Sequence, residues 1–384
     1  MNPNSTLVAD PESVLLRIRK SWLKTCQICT VMLLATVVGC DKLPLPKPDQ
    51  PAPQQQPASK PPVQPPQVVQ QSPPPKVEPK APPPRSADDV LDDFQKAQGN
   101  PVMSGLTDAM LEEAAGLDEE HRARITTVNA NSTSKITLKG FQALQRFPNL
   151  KALGANQLPM SRNAAWLSEL AKLTELESLT LEKSGLVDDD LQYLKPLQKL
   201  KVLVLNENNA VTDQGFIHLK HLLALEQLHI AFCGVFGPGF RQFRDPKIKH
   251  PGLKVIVAHH TSFGNQGLEA IHQWKSIEEL HLGQSYVNDN SLFGLNGLIN
   301  LRLVSLGYDS FSIIGMTKAN FRGKKKLETV IIDNVGAVND ACLDLFKFNK
   351  SLKLIRLKNT GVTQAGVDRL KKTLKTGVEV ELIK

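Results

Sequence analysis

The feature that most constrains this chain is a phrase that keeps returning. An opening of the form L-x-x-L-x-L recurs at Leu176, Leu200, Leu225, Leu253, Ile277, Leu301, Leu327 and Leu352. Weaker copies begin at Ile125 and Leu150, a closing strand pattern begins at Val378, and successive starts lie 24 to 28 residues apart. Positions 4 and 6 of each unit alternate across a short strand. Leu179/Leu181, Leu203/Leu205, Leu228/Ile230, Leu280/Leu282 and Ile355/Leu357 are therefore expected to point inward together. A unit of this length has room for one strand and one helix, and neither can bury its apolar face alone. Stacking of neighbours must build the core.

The rest of each unit fits that plan. A small or polar residue follows the strand, as in Ser184, Cys233, Thr261, Ser285 and Thr360. Helix starts come next, as in Val211-Thr212-Asp213 and Val287-Asn288-Asp289, where Thr or Asn suits an N-cap and the acid suits the helix dipole. "QGFIHLKHLLA" and "AGVDRLKKTLK" then space apolar residues by three and four, as an amphipathic helix requires. Together these phrases resemble the leucine-rich repeat family, over about Ile125 to Lys384. The resemblance implies an α/β solenoid of about ten repeats, a curved horseshoe with parallel strands on the concave face and helices on the convex face. It also implies that the residue after the strand bonds the turn backbone. Cys233 is then a buried repeat position, since free cysteine is often a small core residue. One unit is irregular: "GVFGPGFRQFRDPKIKHPG" puts prolines and glycines where a helix belongs.

Upstream of the repeats the chain changes character three times. Residues 1–39 read as a signal peptide: Arg17, Arg19, Lys20 and Lys24 precede an apolar run, Ile28 to Gly39, too short for the roughly 20 residues of a spanning helix. The run ends in Val37-Val38-Gly39-Cys40, which resembles the bacterial lipobox and implies lipidation of the Cys40 thiol. Residues 40–86 form a linker in which 17 of the 26 prolines fall between Pro44 and Pro84. Such a segment cannot bury enough apolar surface to offset the entropy of ordering, and reads as a stiff tether. Residues 87–124 contain "ADDVLDDFQKA" and "LTDAMLEEAAGLDEEHRAR", short acidic helices expected to cap the repeat domain of 125–384. The expected setting is a cell membrane or outer membrane, with the domain held by lipid on Cys40 and facing the periplasm or exterior.

Residues 126–384 carry 33 basic and 23 acidic side chains, spread along the chain apart from the run Lys324-Lys325-Lys326. Spread charge favours anionic surfaces without naming a nucleic acid, and none is expected as a partner. Cys26 and Cys29 lie in the leader, and Cys233 and Cys342 sit in distant repeats, so no disulfide framework is expected. The chain has no G-x-S-x-G, H-E-x-x-H, phosphate loop or zinc-type cysteine pair. No catalytic residue, metal site or cofactor is expected.

Function should then lie on the outward residues of the strands, which are free of core duty. Position 5 reads Thr180, Val204, His229, Val257, His281, Ser305, Ile331, Arg356, and position 8 reads Lys183, Glu207, Phe232, His260, Gln284, Tyr308, Asn334, Asn359. Histidines and aromatics gather on the units from Leu225 to Leu301: His229, Phe232, His259, His260, His281 and Tyr308. With strands about 4.8 Å apart they form one patch, the expected contact surface for a protein or polysaccharide. The competing expectation is a basic domain lying on an anionic envelope polymer.

Overall fold

The computed structural model describes residues 85–384, apart from 100–103, 134, 246, 249 and 348. The expected signal peptide of 1–39, Cys40 and nearly all of the expected linker of 40–86 lie outside the described residues. Each sequence unit yields one strand. Six are three residues long: β1 (Thr127–Asn129), β2 (Ala152–Gly154), β3 (Ser178–Thr180), β4 (Val202–Val204), β5 (Gln227–His229) and β6 (Val255–Val257). Five are longer: β7 (Glu279–Gly283), β8 (Leu303–Gly307), β9 (Thr329–Asp333), β10 (Leu354–Lys358) and β11 (Glu379–Ile383). They form a single eleven-stranded sheet in strict chain order, every pairing parallel. This is the leucine-rich-repeat solenoid. The inward pairs at positions 4 and 6 are all fully buried.

Parallel strands need a crossover, and here the crossovers are tighter than the amphipathic helices expected. The 26-residue units from Leu150, Leu301 and Leu352 do form α-helices, at Ala164–Ala171, Ile313–Lys318 and Gln364–Lys371. Four units of other lengths use 3₁₀ turns instead, at Asp188–Leu194, Pro238–Arg244, Ser291–Leu295 and Asp340–Leu345. "QGFIHLKHLLA" forms only a 3₁₀ turn at Asp213–Gly215 and a short α turn at Phe216–Leu219. A 3₁₀ turn rises about 2.0 Å per residue against about 1.5 Å for an α-helix, so the units from Leu176, Ile277 and Leu327, one or two residues shorter, still cover the return. The 28-residue unit from Leu225 uses a 3₁₀ turn for another reason, the Gly237-Pro238 entry. The 24-residue unit from Leu253 departs from this trend, with an α-helix at Gly264–Ile271.

The acids at the crossover starts do more than complement a helix dipole. Asp188 accepts from the backbone N–H and the hydroxyl of Thr212, one unit on. Asp289 does the same with Ser312, and Asp340 with Thr363. Each carboxylate therefore fastens the N-cap of the next unit. Ahead of the repeats stand α1 (Ala87–Ala97), α2 (Asp108–Ala115) and α3 (Glu119–Ala123). Asp108, first residue of α2, holds Thr137 by the same two bonds. Val90, Leu91 and Phe94 of α1 belong to the one continuous core, and Phe94 meets Phe147 edge-on at 5.9 Å.

The irregular unit is fastened rather than loose. Asp213 accepts from the backbone N–H groups of Phe236, Gly237 and Gly239. Gly237 has φ +106°, and a Cβ there would stand 2.1 Å from the Gly267 Cα. Pro238 opens the 3₁₀ turn, where a missing N–H costs nothing. Phe240 then fills the core against Phe216, Phe263 and Trp274. His250 closes the loop with both ring nitrogens: Nε2 donates to the Leu222 carbonyl and Nδ1 accepts from the Gly252 N–H. Lys324 likewise is no part of a solvated charge run. It is buried, and its Nζ donates to the carbonyls of Leu295 and Leu298.

Candidate functional site

The residue after the position-8 turn enters the core in most units, and is half-buried as Asp309 and Thr360 in the units from Leu301 and Leu352. Ser184, Cys233, Thr261 and Ser285 are buried, with Ser184, Cys233 and Ser285 donating to the carbonyls of Ala155, Leu205 and Ala258 in the preceding unit. Asn208 takes this place in its own unit, with Nδ2 on the Leu181 and Leu205 carbonyls and Oδ1 on the N–H groups of Ser184 and Leu186. Burial pushes the Cys233 thiol up to about 12, so it is a packing group and not a nucleophile.

To deliver residue 9 inward, residue 8 turns through left-handed backbone. Lys183, Glu207, Phe232, His260, Gln284, Tyr308, Asn334 and Asn359 all have φ between +48° and +59°. This region is uncommon for non-glycine residues and more so for bulky ones. The position-8 side chains therefore form one row along the sheet, held by backbone geometry. The row is neutral over β5–β8, where Phe232 and His260 stack at 4.0 Å and 11° and Tyr308 is 48% exposed. Toward β3 and β4 it becomes ionic, with Lys183 facing Glu207 at 3.9 Å.

The three other histidines occupy a separate tier, on or just past the strands. Pairing registers Val204, His229, Val257, His281 and Ser305 across β4–β8, as the position-5 reading requires. Val257, buried, separates His229 from His281. His259 leans the other way: its ring lies 5.8 Å from that of His281, and its Nδ1 accepts from the Gly283 N–H. Gly283 leaves it room, since a Cβ there would stand 3.0 Å from Nδ1. Burial, reinforced by the charge of His281, holds His229 down at about 4 and His259 at about 3. Both are neutral imidazoles at pH 7. Among the described residues no three His, Cys, Asp or Glu side chains converge as a metal would require.

The expected single patch is thus two tiers. His229, His259 and His281 are half-buried and packed, and Phe232, His260 and Tyr308 stand on the turns. Sequence reasoning missed two neighbours of the outer tier. Phe236 and Tyr286, 54% and 76% exposed, sit on the loops after β5 and β7. The signal was available for Tyr286, an aromatic at a loop position where neighbouring units carry Gly or Ser (Gly234, Ser262, Ser310, Gly336). Two depressions of about 410 and 440 Å³ lie instead on the crossover side, by Arg162, Asp189 and Tyr193 and by Asp340, Lys347 and Arg369.

The sequence matches no protein-family model and no curated protein. Solved structures of similar architecture include the internalin InlF of Listeria monocytogenes, 14% identical over 77% of this chain and 93% of that one, with a TM-score of 0.46. Internalin C2 of the same organism is 17% identical over 72% of this chain and 91% of its own, with a TM-score of 0.33. TLR13, in a complex with ssRNA13, is 18% identical over 66% of this chain, which spans only 38% of the TLR13 chain (TM-score 0.45). The architecture itself rests on the eleven-stranded parallel sheet.

Proposed function

We propose that this protein is a non-enzymatic binding module, anchored through lipid on Cys40, that presents the β5–β8 surface to a protein or glycan partner outside the cytoplasm. The observation that supports this most is the outer tier. Phe232, His260 and Tyr308 are held by left-handed backbone on turns with no core role, and solvent reaches them. Side chains preset in this way lose little freedom on binding, which favours recognition. Rigid aromatic groups are also the commonest anchors of interfaces.

The combined variant Phe232→Ser, His260→Ser, Tyr308→Ser tests the reading. It should melt like the parent yet fail to recover the partner that the parent recovers from envelope extracts. Recovery unaffected by the triple change removes this surface from the function. Anchoring is tested separately by the mass of the mature N-terminus, with Cys40→Ser as the control. An unprocessed, unlipidated chain refutes it.

A further inference from the structure

The two edges of the sheet differ in chemistry. Because all strands run parallel, every residue just before a strand lies on one edge and every post-strand loop lies on the other. The first edge is charged, and its signs alternate: Lys151, Glu177, Lys201, Glu226, Lys254, Glu278, Arg302, Glu328, Lys353. The opposite edge, on the loops after β5–β8 (230–237, 258–263, 284–290 and 308–312), contains no lysine, arginine or glutamate. Its two acids are consumed by the fold. Asp289 holds Ser312 and Gly315, and Asp309 accepts from the N–H groups of Ser285, Val287 and Gly307.

What this edge offers a partner is rings, amides and hydroxyls. Three of the four exposed Phe, Tyr or Trp side chains among the described residues stand here: Phe236, Tyr286 and Tyr308. The stacked Phe232–His260 pair and Gln284 lie among them, and the left-handed backbone of Gln284, Tyr286 and Tyr308 presets their direction. Aromatic faces pack on the C–H faces of sugar rings, and amides and hydroxyls pair with sugar hydroxyls. An edge without free charge has nothing to neutralise an anionic polymer and no arginine of the kind that anchors protein interfaces. Strands about 4.8 Å apart repeat these groups at close to the length of one pyranose residue.

We infer that the post-strand edge over β5–β8 is a binding site for an uncharged polysaccharide lying across successive loops. The inference rests on the binding-module reading and narrows its partner. Rings and hydrogen bonds, not ion pairs, hold the chain, so binding withstands salt that would strip an electrostatic complex.

The test uses the purified full chain on insoluble cellulose, chitin and starch, with immobilised alginate and heparin as anionic counterparts, at about 50 and about 500 mM NaCl. Retention is expected on at least one neutral polymer at both salt levels. Tyr286→Ala/Tyr308→Ala should weaken it by about tenfold or more, while Tyr286→Phe/Tyr308→Phe keeps most of it. Thermal melts of both variants establish that each is folded. Retention only on alginate or heparin, binding lost at high salt, equal binding by the alanine variant, or no retention on any neutral polymer would each overturn the assignment. If no neutral polymer binds but the triple variant still loses a protein partner, the glycan assignment falls and the binding module stands. If the triple variant loses nothing either, both fall.

Discussion

The tightest constraint on any single residue is at Gly237, where a side chain would meet both a forbidden φ and the Gly267 backbone at 2.1 Å. Gly237→Ala should destabilise the domain by about 2 kcal/mol or more, read as a lowered urea midpoint. The packed histidines make a second residue-scale prediction. Their folded pKa values, about 4 for His229 and about 3 for His259, lie below the roughly 6.5 of an unfolded histidine. Below about pH 6.5 the unfolded chain therefore binds protons that the folded chain refuses. Stability is full above that pH and falls as pH drops toward 4, by up to about 1.4 kcal/mol per pH unit for each group. His229→Phe should flatten the change in urea midpoint between pH 7 and pH 4.5. An unchanged slope would show that this imidazole is already protonated in the folded protein.

Individual elements here are too short to be stable, and two ladders lock them together. One is the aspartate clasp from each crossover to the next N-cap. Asp340→Ala should cost about 1–2 kcal/mol, because it frees both the N–H and the hydroxyl of Thr363. Increased hydrogen exchange at the start of Gln364–Lys371 is the local sign to look for. The other ladder is the alternating charge before the strands. Glu177 pairs with Lys151 at 3.3 Å and Lys201 at 2.6 Å, and Glu328 pairs with Arg302 at 3.2 Å and Lys353 at 2.8 Å. Each exposed pair contributes little, about 0.2–1 kcal/mol, but inverting one member sets three like charges in a row. Glu177→Lys should lower stability by about 1–2 kcal/mol at low ionic strength and recover much of it in high salt. A salt-independent loss would mean that packing, not charge, is being measured.

At the scale of the molecule, one core runs from Val90 to Val380, yet each unit touches chiefly its neighbours. Damage should therefore stay local. Phe94→Ala removes the ring that joins α1 to Phe147 and should cost about 3–5 kcal/mol. The resulting loss of hydrogen-exchange protection should be concentrated in α1–α3 and β1–β3, leaving β8–β11 as in the parent. A uniform loss across the sheet would indicate an all-or-none domain instead.

The chain's own repeat was enough to determine the solenoid, the strand order and the buried pairs at positions 4 and 6. Periodicity acts between residues close in sequence, and a parallel array only copies that local rule. Registers such as His229 beside Val257 followed at once. What only the tertiary structure decided depends on neighbours 22 to 29 residues away. Asp188 gained its role from Thr212, Lys324 was drawn inward by the carbonyls of Leu295 and Leu298, and His259 was pinned by Gly283. The six residues gathered at the candidate site were legible as a cluster, because register could be counted. Their division into packed histidines and open rings was not, because it turns on the sign of φ at one position per unit. That sign is set by the need to bury the residue that follows, and it is what places a neutral, aromatic edge opposite a charged one.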